Sequence, residues 1–156
     1  MLLEILNLMD PNMPIEPVQK KDYPELLELW EASVRATHDF LEEEDMAFLR
    51  PLILEQYFDA VQLRCIRDEQ GKILGFCGVS ECKIEMLFVL PETRGQGIGS
   101  SLCSHAINNM CANEVDVNEQ NQKAIGFYEH IGFQIMGRSP VDGQGRPFPL
   151  LHMKLG

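Results

Sequence analysis

The stretch IEMLFVLPETRGQGIGSS, from Ile84 to Ser101, places an apolar strand, a glycine-rich turn and the start of a helix in immediate succession. Residues 86–90 form an apolar run of strand length. Pro91 follows this run and ends the strand, because proline has no backbone N–H to donate to a neighbouring strand. The stretch therefore predicts a strand that stops at a turn, with a helix beyond it.

Three alternating glycines, Gly95, Gly97 and Gly99, lie in this turn, and a helix is predicted from about Gly97 to Met110. Without Cβ atoms, the backbone of the turn can approach a ligand closely. The first N–H groups of a helix lack intrahelical acceptors and carry roughly half a positive charge. Together with the neighbouring Arg94, they predict a site for a phosphate or pyrophosphate.

Two other phosphate-binding patterns fit this turn poorly. A P-loop requires a lysine followed by serine or threonine, and no lysine occurs between Lys83 and Lys123. A Rossmann fingerprint requires a third glycine where Ser100 stands, although Asp116 lies near the distance expected for its ribose-binding acid. The rest of the chain is also short for a second mononucleotide-binding half.

A third pattern, Arg-x-x-Gly-x-Gly, is matched in full by Arg94, Gly97 and Gly99. It resembles the coenzyme A loop of the GNAT family of N-acetyltransferases. A second segment, residues 117–133 (VNEQNQKAIGFYEHIGF), resembles that family's signature Asn-x-x-Ala-x-x-Phe-Tyr-x-x-x-Gly-Phe. The two segments follow in the family's order and at a plausible separation.

The similarity extends with lower specificity from about Met13 to the C-terminus. Residues 36–41 and 137–151 resemble a bacterial subgroup of peptidyl-lysine acetyltransferases. We therefore expect one acetyltransferase domain at residues 13–156, preceded by an N-terminal extension at residues 1–12. That extension is apolar but has no basic n-region and is too short to span a membrane.

The composition limits the classes of partner. The chain of 156 residues carries 24 acidic and 13 basic residues, a net charge of −11. This charge argues against binding to nucleic acid or to an anionic membrane, and it suits a cationic acceptor such as an amine. It could also serve solubility alone. We expect a monomer or a homodimer.

The cysteines and histidines predict neither a disulfide framework nor a metal site. The five cysteines are odd in number and contain no CxxC pair, and the four histidines are dispersed at positions 38, 105, 130 and 152. Reduced core cysteines and the absence of a targeting signal predict a cytoplasmic location.

The alternation of helical and strand patterns predicts an α+β domain with three layers, helices on both faces of a mixed sheet. The GNAT resemblance implies that the sheet is mostly antiparallel, with a splayed central strand pair flanked by helices. Asp22 and Glu25 have the spacing of a capping box at the first helix, and Pro51 is expected to interrupt the second. The predicted strands are 15–19, 61–67, 73–79, 84–90, 114–118, 133–136 and 150–154, and the predicted helices begin near 22, 43, 97 and 122.

The resemblance also implies how acetyl-CoA binds. Backbone groups of the central strand would pair with its pantetheine amides, and the turn with Arg94 would hold its pyrophosphate. Asn121 would hydrogen-bond the arm of the cofactor, and Asn118 would lie at the end of its strand beside the same crevice. The implied cofactor-binding residues are Leu87, Phe88, Val89, Arg94, Gly95, Gln96, Gly97, Ile98, Gly99, Ser100, Asn118 and Asn121.

Acetyl transfer to an amine requires a proton acceptor, an oxyanion donor and a proton donor for the leaving thiolate. Tyr128, at the Phe-Tyr position of the signature, is predicted to be the general acid. Glu85 is predicted to be the base, directly or through water, although a solvated strand acid is an equal alternative. A backbone N–H near Val89 is the expected oxyanion donor. His38 and Asp39 are predicted to line the acceptor pocket, the alternative for His38 being a helix-end residue.

Two functions are consistent with these features. The first is an N-acetyltransferase that moves an acetyl group from acetyl-CoA to a primary amine by direct attack. The acceptor would be a protein lysine, a protein N-terminus or a small amine. The second is a non-catalytic acyl-CoA sensor, which would keep the phosphate site and lack turnover.

Overall fold

The computed structural model describes residues 14–37 and 41–156. They form a mixed sheet of seven strands in the order β1-β2-β3-β4-β5-β7-β6. The strands are β1 (Ile15–Pro17), β2 (Gln62–Arg67), β3 (Ile73–Ser80), β4 (Lys83–Val89), β5 (Glu114–Asn118), β6 (Phe133–Ser139) and β7 (Leu150–Leu155). The helices are α1 (Tyr23–Thr37), α2 (Glu43–Leu52), α3 (Ile98–Asn109) and α4 (Gln122–Ile131). Residues 1–12 and the two predicted pocket residues His38 and Asp39 lie outside the described residues.

The sheet is antiparallel except where β4 and β5 run parallel. That parallel pairing covers only two positions, Lys83 with Glu114 and Ile84 with Val115. Beyond Ile84 the two strands diverge, and the gap between them opens toward the end of β4. The expected mostly antiparallel sheet with a splayed central pair is confirmed.

Helices cover both faces of the sheet, which confirms the three layers. Adjacent residues of a strand point to opposite faces. On β3, the Phe76 ring lies 5.9 Å from the Phe58 ring, which in turn lies 5.0 Å from Tyr23 of α1. The neighbouring Gly75 faces Ile98 and Leu102 of α3. The helices α1 and α3 therefore pack on opposite faces of β3.

The predicted capping box of Asp22 with Glu25 is wrong. The Asp22 carboxylate instead accepts a hydrogen bond from the Gln19 N–H at 2.9 Å and pairs with Arg67 at 3.0 Å. Burial raises the pKa of Asp22, but these two partners outweigh it and leave that pKa below its usual value. The Glu25 carboxylate accepts from the Ile73 N–H at 2.8 Å and so ties α1 to β3. The capping box instead forms one turn earlier, between Gln19 and Asp22 at the short 3₁₀ turn Lys20–Asp22, and Glu25 has a tertiary partner.

Two other expectations about the elements need correction. Pro51 does not interrupt the second helix, since α2 contains it and continues into a wider π-helical turn at Ile53–Tyr57. The sixth strand is longer than its sequence pattern predicted, because β6 continues to Ser139 alongside β7. Among the described helices, none is long and apolar enough to cross a membrane.

Gly75→Ala should destabilise the fold, because a Cβ at this position would lie 2.8 Å from Ile98 Cγ2 and 3.2 Å from the Phe88 carbonyl oxygen. We expect a loss of about 1–3 kcal/mol in the free energy of unfolding, measured by urea denaturation. Gly126→Ala is the matched control, since that helical glycine has open space around it and alanine should add up to about 1 kcal/mol. Equal effects of the two substitutions would contradict this packing.

Candidate active site

A cavity of about 480 Å³ occupies the gap between the diverging strands β4 and β5. It is lined from α1, β4, β5, α4 and the turn that leads into α3. Both predicted catalytic residues, Glu85 and Tyr128, line it, as do the predicted cofactor-binding residues with the exception of Gln96. The tertiary structure therefore brings residues 85–100 and 118–128 together around one space.

One end of the cavity is the glycine turn before α3. Gly95 and Gly97 adopt φ values of +84° and +81°, which residues with side chains rarely reach. Gly97 is the residue that precedes the helix, and within the described part of the chain the N–H groups of Ile98, Gly99 and Ser100 have no acceptor. These free donors fit the anionic diphosphate of coenzyme A.

Gln96 and Asn121 have different positions relative to the cavity, and the contact of each with the cofactor stays a prediction. Gln96 is exposed, lies outside the lining and donates its N–H to the Thr93 carbonyl at 3.3 Å. The predicted contact of Gln96 with a ligand is therefore without support here. Asn121 lines the cavity, but its side-chain oxygen accepts from the Ala124 N–H at 3.2 Å and so begins α4. Asn118, at the end of β5, accepts from the Gln120 N–H at 2.9 Å.

The last part of β4 offers backbone groups to the cavity. The Leu90 N–H donates to the Leu74 carbonyl of the β3 side at 2.9 Å. Because backbone direction alternates along a strand, the N–H and C=O groups of Leu87 and Val89 point the other way, toward β5. β5 has already diverged at that level. These groups can therefore pair with the amides of an extended ligand.

Tyr128 lies on α4 at the wall of the cavity and is only 6% exposed. Its ring packs edge-on against Phe127 at 5.1 Å and Phe133 at 5.5 Å. Burial, with the nearby thiols of Cys103 and Cys77, raises the pKa of Tyr128 well above its ordinary value. The hydroxyl thus keeps its proton at neutral pH and can act as a donor.

Glu85 occupies an irregular position of β4. Gly78 pairs with Met86 and Val79 pairs with Ile84, so Glu85 is the extra residue of a β-bulge. A bulge redirects the side chain of the inserted residue. The side chain is exposed and lines the cavity. Partial loss of water raises the pKa of Glu85, and the charges of Asp116 and Glu81 raise it further against the opposing effect of Lys83.

Asp116 is a site residue that sequence reasoning missed. It is the first residue of β5 beyond the last pair with β4, so it lies across the gap from Glu85 and lines the cavity. Its carboxylate is bound by His152 at 2.6 Å and by Lys83 at 3.0 Å. Burial raises the pKa of Asp116, but these two partners outweigh burial and lower it. The signal in the sequence that could have identified Asp116 was a carboxylate between two valines of a buried strand.

Further lining residues were also missed, among them Ser33 and Thr37 of α1, and Lys123 and Phe127 of α4. Helical periodicity could have identified Ser33 as a polar residue on the buried face of α1, where it is 5% exposed. Within residues 14–37 and 41–156, no group of three His, Cys, Asp or Glu side chains is placed to hold a metal ion.

Known acetyltransferases resemble this chain in both sequence and structure. Residues 62–135 match the acetyltransferase (GNAT) domain family. The chain is 40% identical to the peptidyl-lysine N-acetyltransferase YjaB of Salmonella typhimurium over 82% of this chain and 88% of that protein. The solution structure of apo YjaB from Escherichia coli superposes with a TM-score of 0.81 at 36% identity, over 91% of this chain and 96% of that one. The PaiA N-acetyltransferase of Thermoplasma acidophilum, solved with coenzyme A, shares the fold with a TM-score of 0.70 at 18% identity, over 95% of this chain and 100% of that one.

Arg94→Ala should weaken coenzyme A binding roughly 5- to 20-fold, because a charged hydrogen bond to phosphate at an exposed site contributes about 1–2 kcal/mol. Titration calorimetry at low and moderate salt measures the affinity for coenzyme A. The difference in affinity between the wild type and Arg94→Ala should shrink as salt screens the charge. Lys154→Ala, which removes an exposed cation outside the cavity lining, is the control and should leave the affinity unchanged. An unchanged affinity for Arg94→Ala would place the phosphates elsewhere.

Proposed function

The chain belongs to the GNAT family and is an acetyl-CoA-dependent N-acetyltransferase, and from this premise we propose that its acceptor is the side-chain amine of a protein or peptide lysine. The observation that carries the proposal is the placement of two carboxylates, Glu85 and Asp116, where β4 and β5 begin to diverge, at the opposite end of the cavity from the glycine turn. Carboxylates attract an ammonium group. The resemblance to peptidyl-lysine N-acetyltransferases supports lysine as that group.

The two ends of the cavity suit an extended acetyl donor. Val89 and Glu85 are four residues apart on one strand, which corresponds to roughly 13 Å at about 3.3 Å per residue. Bound acetyl-CoA supplies a thioester, whose acetyl carbon gains a bond to the amine nitrogen as its bond to sulfur breaks. The protein's own residues must orient the two substrates and stabilise the developing oxyanion. They must also move protons, because the ammonium nitrogen loses two protons on becoming an amide while the leaving thiolate gains one.

Val89 is proposed to stabilise the oxyanion through its backbone N–H, which points into the gap between β4 and β5. A strand amide is held by the sheet, so it needs no reorganisation when negative charge develops on the carbonyl oxygen. Leu87 points its backbone groups in the same direction and is proposed to hold the pantetheine arm.

Glu85 is proposed to accept the proton of the acceptor ammonium, directly or through water. A lysine amine has a pKa near 10.4, so removing its proton at pH 7 costs roughly 4–5 kcal/mol. The raised pKa of Glu85 reduces the mismatch between the base and the amine. Its position at the bulge, exposed to water, lets it release the proton to solvent after each turnover.

Tyr128 is proposed to protonate the leaving thiolate. It regains its proton from the second one that the attacking nitrogen loses on forming the amide, so the net reaction releases one proton, through Glu85, to solvent. Its buried hydroxyl is neutral at physiological pH, and it lines the same cavity as the strand that holds the arm. His38 and Asp39 remain proposed pocket residues on the basis of the sequence alone.

The class of partner, the cellular location and the oligomeric state are also proposed. The net charge of −11 favours a basic peptide as partner over nucleic acid or an anionic membrane. The cytoplasm is proposed as the location, because the five cysteines are free, as expected in a reducing compartment. A monomer or homodimer is the proposed state.

The acceptor class is tested by thiol release from acetyl-CoA against single-lysine peptides, polyamines and aminoglycosides. We expect turnover with lysine peptides whose flanking residues are neutral, acidic or basic. Mass spectrometry should find the acetyl group on the lysine. Turnover confined to a polyamine or an aminoglycoside would overturn the lysine proposal and would leave the acetyltransferase activity intact.

Tyr128→Phe should lower kcat by at least about 100-fold, because the thiolate loses its proton donor. The affinity for coenzyme A should stay within about 2-fold, since the ring and its packing are retained. The matched control is Tyr23→Phe, whose hydroxyl bonds Asp59 at 2.8 Å outside the cavity lining. Retained turnover in Tyr128→Phe would show that another group protonates the thiolate.

Glu85→Gln should lower kcat/KM by about 100-fold and change its pH dependence. The base must be ionised, so in the wild type the rate rises with pH through the pKa of Glu85, which lies above the ordinary glutamate value. The variant should lose that rise. Glu129→Gln, an exposed substitution on α4 outside the lining, should behave as the wild type. A variant that keeps the wild-type pH profile would remove Glu85 as the base.

A further inference from the structure

Four polar side chains form one hydrogen-bonded row across four neighbouring strands, and we call Lys83, Asp116, His152 and Ser139 the polar row. The Lys83 ammonium donates to Asp116 Oδ2 at 3.0 Å. His152 Nδ1 lies 2.6 Å from Asp116 Oδ1, and His152 Nε2 lies 2.6 Å from the Ser139 hydroxyl. The row therefore runs in the order of the strands that carry it, β4, β5, β7 and β6.

The strand register explains why these side chains share a face. Asp116 is directly opposite His152 in the β5–β7 pairing, so both point to the same side of the sheet. Lys83 pairs with Glu114, two residues before Asp116, and Ser139 follows two residues after Gly137, the partner of His152. Residues two apart on a strand share a face. The extension of β6 to Ser139 completes the row.

The row leads away from the cavity. Asp116 lines the cavity, whereas His152 and Ser139 do not. The side chain of Asp116 is 26% exposed and that of His152 is 40% exposed. Asp116 is thus the member of the row that a substrate in the cavity can reach, and Ser139 is the member farthest from Asp116 along the row.

This direction excludes the nucleophilic use of a Ser-His-Asp set. In a hydrolase the serine meets the substrate and the aspartate is remote from it. Here the aspartate lies at the cavity and the serine is remote. The other members instead hold Asp116 in place, Lys83 and His152 directly and Ser139 through His152.

His152 and Lys83 hold one oxygen each of the Asp116 carboxylate. A carboxylate has about four lone-pair sites on its two oxygens, so each oxygen retains capacity for a further donor. With both oxygens held, the carboxylate loses its rotational freedom. Because Asp116 lines the cavity across the gap from Glu85, this remaining capacity is available where the acceptor amine must arrive.

We propose that Asp116 binds the acceptor's ammonium group and that His152, held in turn by Ser139, is a positioning residue that fixes Asp116 for this task. The proposal rests on the amine acceptor of the proposed function and names the second group that receives it. His152 acts by donating its Nδ1–H to the carboxylate, and no proton needs to pass through its ring.

The first test measures kcat and KM for a single-lysine peptide in a series of variants. Asp116→Asn should raise the acceptor KM roughly 10- to 50-fold, because the ammonium loses a charged partner. His152→Ala should raise it about 5-fold, because the Asp116 carboxylate loses one of its hydrogen-bond donors. Ser139→Ala should raise it about 2-fold, because Ser139 acts on Asp116 only through His152. The values of kcat should change by less than about 3-fold.

A conservative variant separates positioning from proton transfer. His152→Asn keeps an N–H near the position of Nδ1, so it should restore the acceptor KM to within about 2-fold of the wild type. Asparagine cannot carry a proton at neutral pH. A kcat loss of more than about 10-fold in both His152→Asn and His152→Ala would therefore overturn the proposal in favour of a proton path.

A double-mutant cycle tests whether His152 acts through Asp116. In the Asp116→Asn background, His152→Ala should add less than about 2-fold to the acceptor KM, because the group that it positions is already lost. If the effects of the two substitutions on the acceptor KM multiply, His152 does not act through Asp116 and the assignment is overturned. Labelling of Ser139 by a fluorophosphonate would also overturn it, since that would show a nucleophilic serine.

Two controls keep the result interpretable. Every variant should bind coenzyme A within about 2-fold of the wild type, which shows that the fold is intact. His130→Ala, an exposed histidine of α4 outside the lining, should leave both kinetic constants unchanged. If the wild type acetylates a polyamine and no lysine peptide, the lysine proposal fails, and the same KM series with that polyamine still confirms or overturns the role of the polar row.

Discussion

The early end of the parallel pairing between β4 and β5 is the constraint on which the rest of the structure depends. A parallel ladder of only two residue pairs leaves the backbone groups of Leu87 and Val89 that point toward β5 without a strand to pair with. Unpaired backbone groups inside a protein are costly unless a ligand or water satisfies them. The same divergence creates the cavity and supplies the donors that line it. Fold and function therefore share one physical cause, a sheet that is left incomplete at its centre.

The divergence also separates two electrostatic environments. At the turn before α3, free N–H groups and Arg94 provide positive potential for phosphates. At the other end, the carboxylates of Glu85 and Asp116 provide negative potential for an ammonium group. Their surroundings shift their pKa values in opposite directions, upward for Glu85 and downward for Asp116. Two carboxylates with opposed shifts can divide the work, one taking the proton and the other holding the charge.

Long-range contacts keep these ends in place. Glu25 joins α1 to the first residue of β3, and Asp22 joins the start of α1 to Arg67 of β2. Arg146 of the loop between β6 and β7 bonds Asp45 of α2 and lies 4.8 Å from the centre of the Phe48 ring. That loop leads into β7, which carries His152. The segments that frame the acceptor side are thereby tied to helices far away in the sequence.

The amino-acid sequence by itself determined the local pieces: a strand ended by Pro91, a turn with φ values that require glycine, and a helix begun at Gly97. Short-range sterics and unpaired helix N–H groups act between neighbours in the chain, so the motif alone predicted the phosphate end, and the GNAT resemblance added Tyr128. Only the tertiary structure decided that Glu85 lies on a bulge, that Asp116 lies across the gap from it, and that Gln96 lies outside the cavity lining. The bulge depends on the register of the β3–β4 hairpin, and the position of Asp116 depends on pairings between residues 30 or more positions apart. The polar row was out of reach of sequence reasoning for the same reason, since its four members become neighbours only when β4, β5, β7 and β6 align.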